Sequence, residues 1–120
     1  MPVNIVNVQT ITAKTTSVAN VTTSAHTLVP QVGTNVVVKV NSLIIANDDN
    51  SNSDNITVRI IDSNSQIKSN LAHTIPVPVN SSLVVISKDI SVYIEEGDSL
   101  IAFAATGNRL DATCSYEEIS

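Results

Sequence analysis

Hydrophobic and polar residues alternate along three segments of the chain, at residues 56–62, 90–94 and 110–117. Successive side chains of a β-strand point to opposite faces, so a period of two predicts a strand with one buried face. The residues that this pattern directs inward are Ile56, Val58, Ile60, Val92, Ile94, Leu110, Ala112 and Tyr116.

Two further segments, residues 43–46 and 100–105, are apolar on both faces. Such a strand is central in a sheet or covered by another subunit. Both segments suggest more buried surface than one small sandwich provides, so we expect a homo-oligomer, such as a trimer, or an obligate partner. Leu43 and Ile45 are the residues of the first segment that we expect at this interface.

Asn, Asp and Ser residues cluster between the predicted strands, most densely at residues 47–55. Their side chains hydrogen-bond the local backbone, which lets them form turns in a chain with only 3 glycines. No hydrophobic repeat of helical period persists, and β-branched residues disfavour helices. The pattern predicts an all-β fold, an antiparallel β-sandwich or jelly roll of about eight short strands with no significant helix.

A length of 120 residues predicts one domain. We expect residues 36–120 to form the sandwich core, and residues 1–35 to form strands or an arm that packs on it or extends it. No apolar stretch reaches the length of a membrane span, and the first residues lack the pattern of a signal peptide. One cysteine cannot form an internal disulfide, which favours folding in a reducing cytoplasm.

The charge of the chain bears on its partners. The net charge is −5, and the 6 basic residues are scattered. Binding to nucleic acid needs clustered Lys and Arg, so we expect no nucleic-acid partner, and no membrane partner either.

Pro76 and Pro78 lie two residues apart, which would place their missing N–H donors on the same side of a strand. This segment is therefore predicted to be a sheet edge, where another subunit can pack.

Residues 97–100 read Gly-Asp-Ser-Leu, which resembles the nucleophile block of the GDSL hydrolases. That family has the block near the N-terminus and a general-base His later, whereas no His follows residue 100 here. A serine without a base is a poor nucleophile. We interpret the segment as an acidic tight turn with Gly97 at positive φ, joining two strands, and Ser99 as a strand residue.

Glu95, Glu96 and Asp98 crowd this turn. We interpret them as a solvated acidic rim that contacts a basic partner surface. The predicted interface residues are thus Leu43, Ile45, Pro76, Pro78, Glu95, Glu96 and Asp98.

Other candidate sites are weaker. Carboxylate and amide side chains alternate from residue 48 to residue 54 as in a calcium loop, but Ser53 replaces the expected glycine and Arg59 the final glutamate. His26 and His73 lack neighbouring ligands for zinc, and Cys114 lies on a predicted inward face. We expect no catalytic residue, metal or cofactor.

A set of segments in a fixed order resembles small virion structural proteins of tailed bacteriophages, including cyanophages. The segments are residues 42–47, 56–60, 73–78, 82–86, 92–100 and 115–119. The resemblance covers about residues 36–119 and implies a β-sandwich module that decorates heads or builds necks and tails.

The resulting expectation is a non-enzymatic virion component made in the host cytoplasm, which acts through contacts with itself and with other virion proteins. The alternative is a carbohydrate- or receptor-binding module of a fibre or adhesin. Scarce aromatic residues, 2% of the chain, disfavour that alternative, because sugar faces stack on aromatic rings.

Overall fold

A computed structural model describes residues 10–120 of the chain. This part contains nine strands and one turn of 3₁₀ helix at Lys88–Ile90. The strands are β1 (Ile11–Val18), β2 (His26–Val29), β3 (Val37–Asn47), β4 (Asp54–Ile61), β5 (Ile67–Val77), β6 (Ser82–Ile86), β7 (Val92–Ile94), β8 (Ser99–Ala104) and β9 (Leu110–Ile119).

The strands form two antiparallel sheets. In sheet I the order is β1-β9-β3, and β6 and β7 follow one another along the other side of β3. In sheet II the order is β2-β8-β4-β5. The pairs β1–β9, β2–β8, β3–β6/β7 and β4–β5 are those of one long hairpin rolled into two layers, which is a jelly roll. The predicted all-β sandwich is confirmed.

The core lies between the two sheets and consists almost entirely of aliphatic side chains. Its largest fully buried members include Leu28, Leu43, Ile45, Ile56, Ile86, Ile94, Leu100 and Leu110. Six of the eight residues predicted to face inward are buried. Ile60 and Val92 are half-buried and pack against the rim of the core, since they lie close to the ends of β4 and β7.

The described part of residues 1–35 contributes one strand to each sheet. β1 pairs along its whole length with β9, and β2 pairs with β8. Both strands lie at a sheet edge in the described residues, and Leu28 and Val29 of β2 enter the core. Residues 1–9, which we expected to belong to the same N-terminal segment, lie outside the described residues.

Two of the predicted turns join strands of different sheets and so cross between the sheets. Residues 48–53 connect β3 of sheet I to β4 of sheet II, and residues 95–98 connect β7 of sheet I to β8 of sheet II. Turn composition indicates that the chain reverses, but it does not indicate whether the next strand pairs in the same sheet. The predicted strand at residues 90–94 is also shorter, because a 3₁₀ turn occupies Lys88–Ile90.

Candidate functional site

The acidic turn between β7 and β8 is held rigidly by its backbone. The Asp98 N–H donates to the Glu95 carbonyl (3.0 Å), and the Gly97 N–H donates to the Val32 carbonyl (2.8 Å). Val32 in turn donates to the Asp98 carbonyl (2.9 Å). Gly97 has φ of 87°, as the sequence predicted.

The three carboxylates of this turn have different environments. Asp98 is 6% exposed, and its Oδ2 lies 2.8 Å from the Lys68 ammonium. The hydrogen bond from Lys68 to Asp98, and then their opposite charges, raise the pKa of Lys68. The interpretation of Asp98 as part of a solvated rim is therefore wrong, because its carboxylate is used inside the fold.

Glu96 accepts a hydrogen bond from the Asn35 N–H (2.8 Å), which ties the turn to the loop before β3. Glu95 is exposed, and its carboxylate makes no hydrogen bond or ion pair within the described residues. It is thus the carboxylate of the turn that another molecule can reach without breaking an existing contact.

The proline segment forms part of the free edge of sheet II, as predicted. β5 contains Pro76 and pairs only with β4 in the described residues, and Pro78 follows directly after the strand. Both prolines are exposed. The register of β5 against β4 shifts at three points, and such irregularities with prolines make an edge a poor template for strand pairing.

Leu43 and Ile45 are fully buried in the core, at 0% exposure. Their assignment to an intermolecular interface is therefore corrected, because they pack inside the sandwich. The outward-facing residue between them is Ile44, which is 40% exposed and directly opposite Val84, 55% exposed, on β6. Residues 43–46 are apolar on both faces, as the sequence indicated. One face, with Leu43 and Ile45, packs in the core, and the other, with Ile44, is exposed.

The acidic loop between β3 and β4 uses its carboxylates as backbone acceptors. Asp54, 4% exposed, accepts hydrogen bonds from the N–H groups of Thr106 (3.0 Å) and Gly107 (2.8 Å). Asp49 accepts from Ser51 and Asn52, and these bonds lower the pKa of its carboxyl. Within residues 10–120 no three His, Cys, Asp or Glu residues converge as metal ligands would.

Of the remaining candidate side chains, His26 and Ser99 are part of the fold and His73 is exposed. The Thr22 N–H donates to Nε2 of His26 (3.0 Å), while His73 is exposed on β5. Ser99 is the first residue of β8 and is 8% exposed, which confirms it as a strand residue. No helix in the described part of the chain is long and apolar enough to cross a membrane.

Arg59 forms a surface feature that the sequence pattern missed. The alternation places it on the outward face of β4, where polar residues are ordinarily solvated. In the structure it is half-buried, and its guanidinium carbon lies 4.9 Å from the centroid of the Phe103 ring on β8. The register that brings Arg59 opposite Ile101 and close to Phe103 is a tertiary property, so no local signal indicated it.

No family model matches the sequence, and a search of curated proteins found no match either. Among solved structures, the fold is similar to that of a chain from Bacillus endospore appendages, which form a novel family of disulfide-linked pili. The TM-score is 0.53 at 11% identity, over 92% of this chain and 88% of that chain. At this identity the likeness shows a shared fold.

The disulfide linkage named for those pili has no evident counterpart in this chain. Its one cysteine, Cys114, is fully buried in β9, and burial raises the pKa of the thiol to about 12. The thiolate is the reactive form, so we expect Cys114 to react slowly in the folded chain.

Proposed function

We propose that this protein is a non-enzymatic structural component of a tailed-phage particle, a capsid decoration or a neck or tail protein. It acts through contacts with further copies of itself and with other virion proteins. The particle class rests on the resemblance of residues 36–119 to such proteins, and the mode of action rests on the surface of the jelly roll.

The observation that carries the proposal is the exposed apolar pair Ile44 and Val84 on the outer face of sheet I. Single exposed apolar residues are ordinary on protein surfaces. These two are direct cross-strand neighbours and form a continuous apolar surface, which we take as the candidate contact surface. The neighbouring β7 adds Tyr93, 46% exposed, along the same edge of β3.

The edges of the sheets differ in a way that also favours assembly. β1 continues sheet I with an unbroken register over eight residues and pairs only with β9 in the described part of the chain. A regular edge strand of this length presents unpaired N–H and C=O groups to a neighbour. β5 at the edge of sheet II is irregular and carries Pro76, so the β1 edge of sheet I is the better candidate for strand pairing with a neighbour.

The test combines self-association with binding to particles. Light scattering over a range of concentrations is expected to give a mass above that of the 12.7 kDa monomer, and the chain is expected to co-sediment with purified phage capsids or tails. Val84→Lys should weaken self-association, binding to particles, or both, because it places a charge in the apolar patch. Ser82→Lys, on the same exposed strand, is the matched control. A stable monomer that binds neither capsids nor tails would contradict the proposal.

A further inference from the structure

Arg59 lies in the middle of the outer face of sheet II, with apolar side chains on its β8 side and Asn70 opposite it on β5. Ile101 is its direct partner on β8, Ile61 follows two residues on along β4, and Phe103 lies diagonally across. All three neighbours are half-buried. An arginine set among aliphatic and aromatic side chains on an outer face is typical of the residues that contribute most to binding at protein interfaces.

The guanidinium of Arg59 is partly buried, and its buried nitrogen has no hydrogen-bond acceptor. Its Nε is buried and makes no hydrogen bond within the described residues. A buried donor without a partner is unfavourable, and the contact with the Phe103 ring offsets this only in part. The terminal nitrogens are the donors that another molecule can reach, and a planar carboxylate is the acceptor that best matches their fork.

No Asp or Glu side chain in the described part of the chain forms an ion pair with Arg59. The three ion pairs in residues 10–120 are Lys14–Glu118 (2.8 Å), Lys68–Asp98 (2.8 Å) and Arg109–Asp49 (3.7 Å). Lys39 and Lys88 also lack an ion pair there, but neither has a buried nitrogen without a partner. Arg59 therefore differs from the other cations of residues 10–120, and its terminal nitrogens, which are not buried without a partner, are open to an acceptor from another molecule.

We propose that Arg59, together with Ile61, Ile101 and Phe103, forms a docking site for a second copy of this chain. The second copy places the carboxylate of its Glu95 against Arg59. A second copy carries net charge −5 and therefore offers carboxylates. The carboxylates of Asp48, Asp89 and Glu95 are exposed and make no hydrogen bond or ion pair within the described residues. Among these three, Glu95 projects from the turn whose backbone is held by hydrogen bonds to Val32 and within the turn. The backbone of this turn is already fixed, so binding restricts only the side chain of Glu95.

In this contact the acidic turn of one copy binds the surface around Arg59 of another copy. The inference rests on the proposed function, in which copies of the chain associate. Two copies that exchange the contact form a closed pair, whereas copies that each make it in one direction form a ring or a chain. In either arrangement Glu95 of one copy meets Arg59 of another, so the same variants test both.

The experiment measures the dissociation constant of self-association by sedimentation equilibrium for charge-reversed variants. Arg59→Glu and Glu95→Arg are each expected to weaken association at least about tenfold, because each places like charges together. The chain that carries both substitutions regains association, since the pair is then reversed in sign. An equimolar mixture of the two single variants associates more tightly than either alone.

Two exposed residues of the 3₁₀ turn provide matched controls. Lys88→Glu and Asp89→Arg change the net charge by the same amounts as Arg59→Glu and Glu95→Arg, at a site away from the proposed contact. Both are expected to leave association unchanged, apart from a small general effect of net charge. Circular dichroism checks that each variant retains its strands.

Cysteine trapping gives a readout that does not depend on charge. A mixture of Arg59→Cys and Glu95→Cys chains should be joined into a heterodimer by a short bismaleimide crosslinker, whereas a mixture of Arg59→Cys and Asp89→Cys chains should not. A crosslinker is used because an Arg–Glu pair holds its Cβ atoms farther apart than a disulfide spans. The buried Cys114 does not interfere in the folded chain.

The outcomes separate this contact from the proposed function. Wild-type association that none of the Arg59 and Glu95 variants alters, or a doubly reversed chain that folds and fails to associate, overturns the contact and leaves the structural role standing. A wild-type chain that stays monomeric yet binds phage particles also overturns the contact alone. A chain that stays monomeric and binds no particle overturns both.

Discussion

Thr74 has a backbone conformation that a β-branched residue rarely adopts, with φ of 48°. It lies where β5 bulges against β4, and its N–H donates to the Thr57 hydroxyl (3.1 Å). A β-branched residue in this region costs about 1–3 kcal/mol. Thr74 donates this hydrogen bond from its backbone N–H, so a substitution at this position retains it. The strain arises from the β-branched side chain, and a substitution can therefore relieve it.

We therefore expect Thr74→Asn to stabilise the fold by about 0.5–1.5 kcal/mol, because asparagine tolerates positive φ and the backbone bond is retained. The urea denaturation midpoint measures the change. Thr27→Asn, on the exposed face of β2, is the control and should lower stability slightly through its poorer strand propensity. A midpoint for Thr74→Asn at or below that of the control would refute the strain argument.

Cys114 provides a second prediction for a single residue. Because burial raises the pKa of its thiol to about 12, the folded chain should not react with a thiol reagent at pH 8, and unfolded chain in urea should react fully. The folded state favours the protonated thiol, so this contribution to stability is complete below the ordinary pKa of 9.0 and is lost as pH rises toward about 12. Rapid labelling of folded chain would show that β9 opens readily.

At the scale of elements, the two crossings between sheets depend on particular backbone contacts. In the crossing from β7 to β8, Gly97 has positive φ and empty space where a Cβ would be, so the demand for glycine is purely conformational. Gly97→Val should destabilise the fold by about 1–3 kcal/mol. Gly33→Ala, at a glycine with open space and no positive φ, is the control and should be neutral or slightly stabilising. Equal effects of the two substitutions would contradict this account of the turn.

The crossing from β3 to β4 ends at Asp54, whose carboxylate joins the start of β4 to the loop after β8. Asp54→Ala leaves the N–H groups of Thr106 and Gly107 without their acceptor, and we expect a loss of about 2–4 kcal/mol in the free energy of unfolding. Asp54→Asn, which keeps one acceptor oxygen, should lose less. Asp48→Ala, at an exposed position in the same loop, should change stability by less than about 0.5 kcal/mol. A loss as large at Asp48 would refute the role assigned to Asp54.

For the whole molecule, charge sets how copies approach one another. If the contact between Arg59 and Glu95 forms, association should weaken as salt is added, because ions screen the part of the attraction that remains exposed. Analytical ultracentrifugation from 50 mM to 500 mM NaCl, a range spanning about a threefold change in Debye length, measures this dependence. Without such a contact, lower repulsion between copies of net charge −5 would make association tighter with salt, so the sign of the effect discriminates.

The alternation of residues such as Ile56 and Thr57 predicted the strands and most of the inward side chains correctly. That inference succeeds because the direction of a side chain along a strand is a local consequence of backbone geometry. The positive φ of Gly97 and the edge position of Pro76 were predictable for the same reason, since both follow from the covalent structure of one residue.

The sequence by itself thus determined the all-β class, the faces of the strands and the residues suited to turns. Tertiary structure decided which strands pair, and with it that residues 95–98 cross between sheets, that Leu43 and Ile45 belong to the core and that Asp98 is paired with Lys68. It also placed Arg59 against Phe103. The physical reason is the same throughout, because these properties depend on neighbours tens of residues away in the chain, which only the rolling of the hairpin into two layers brings into contact.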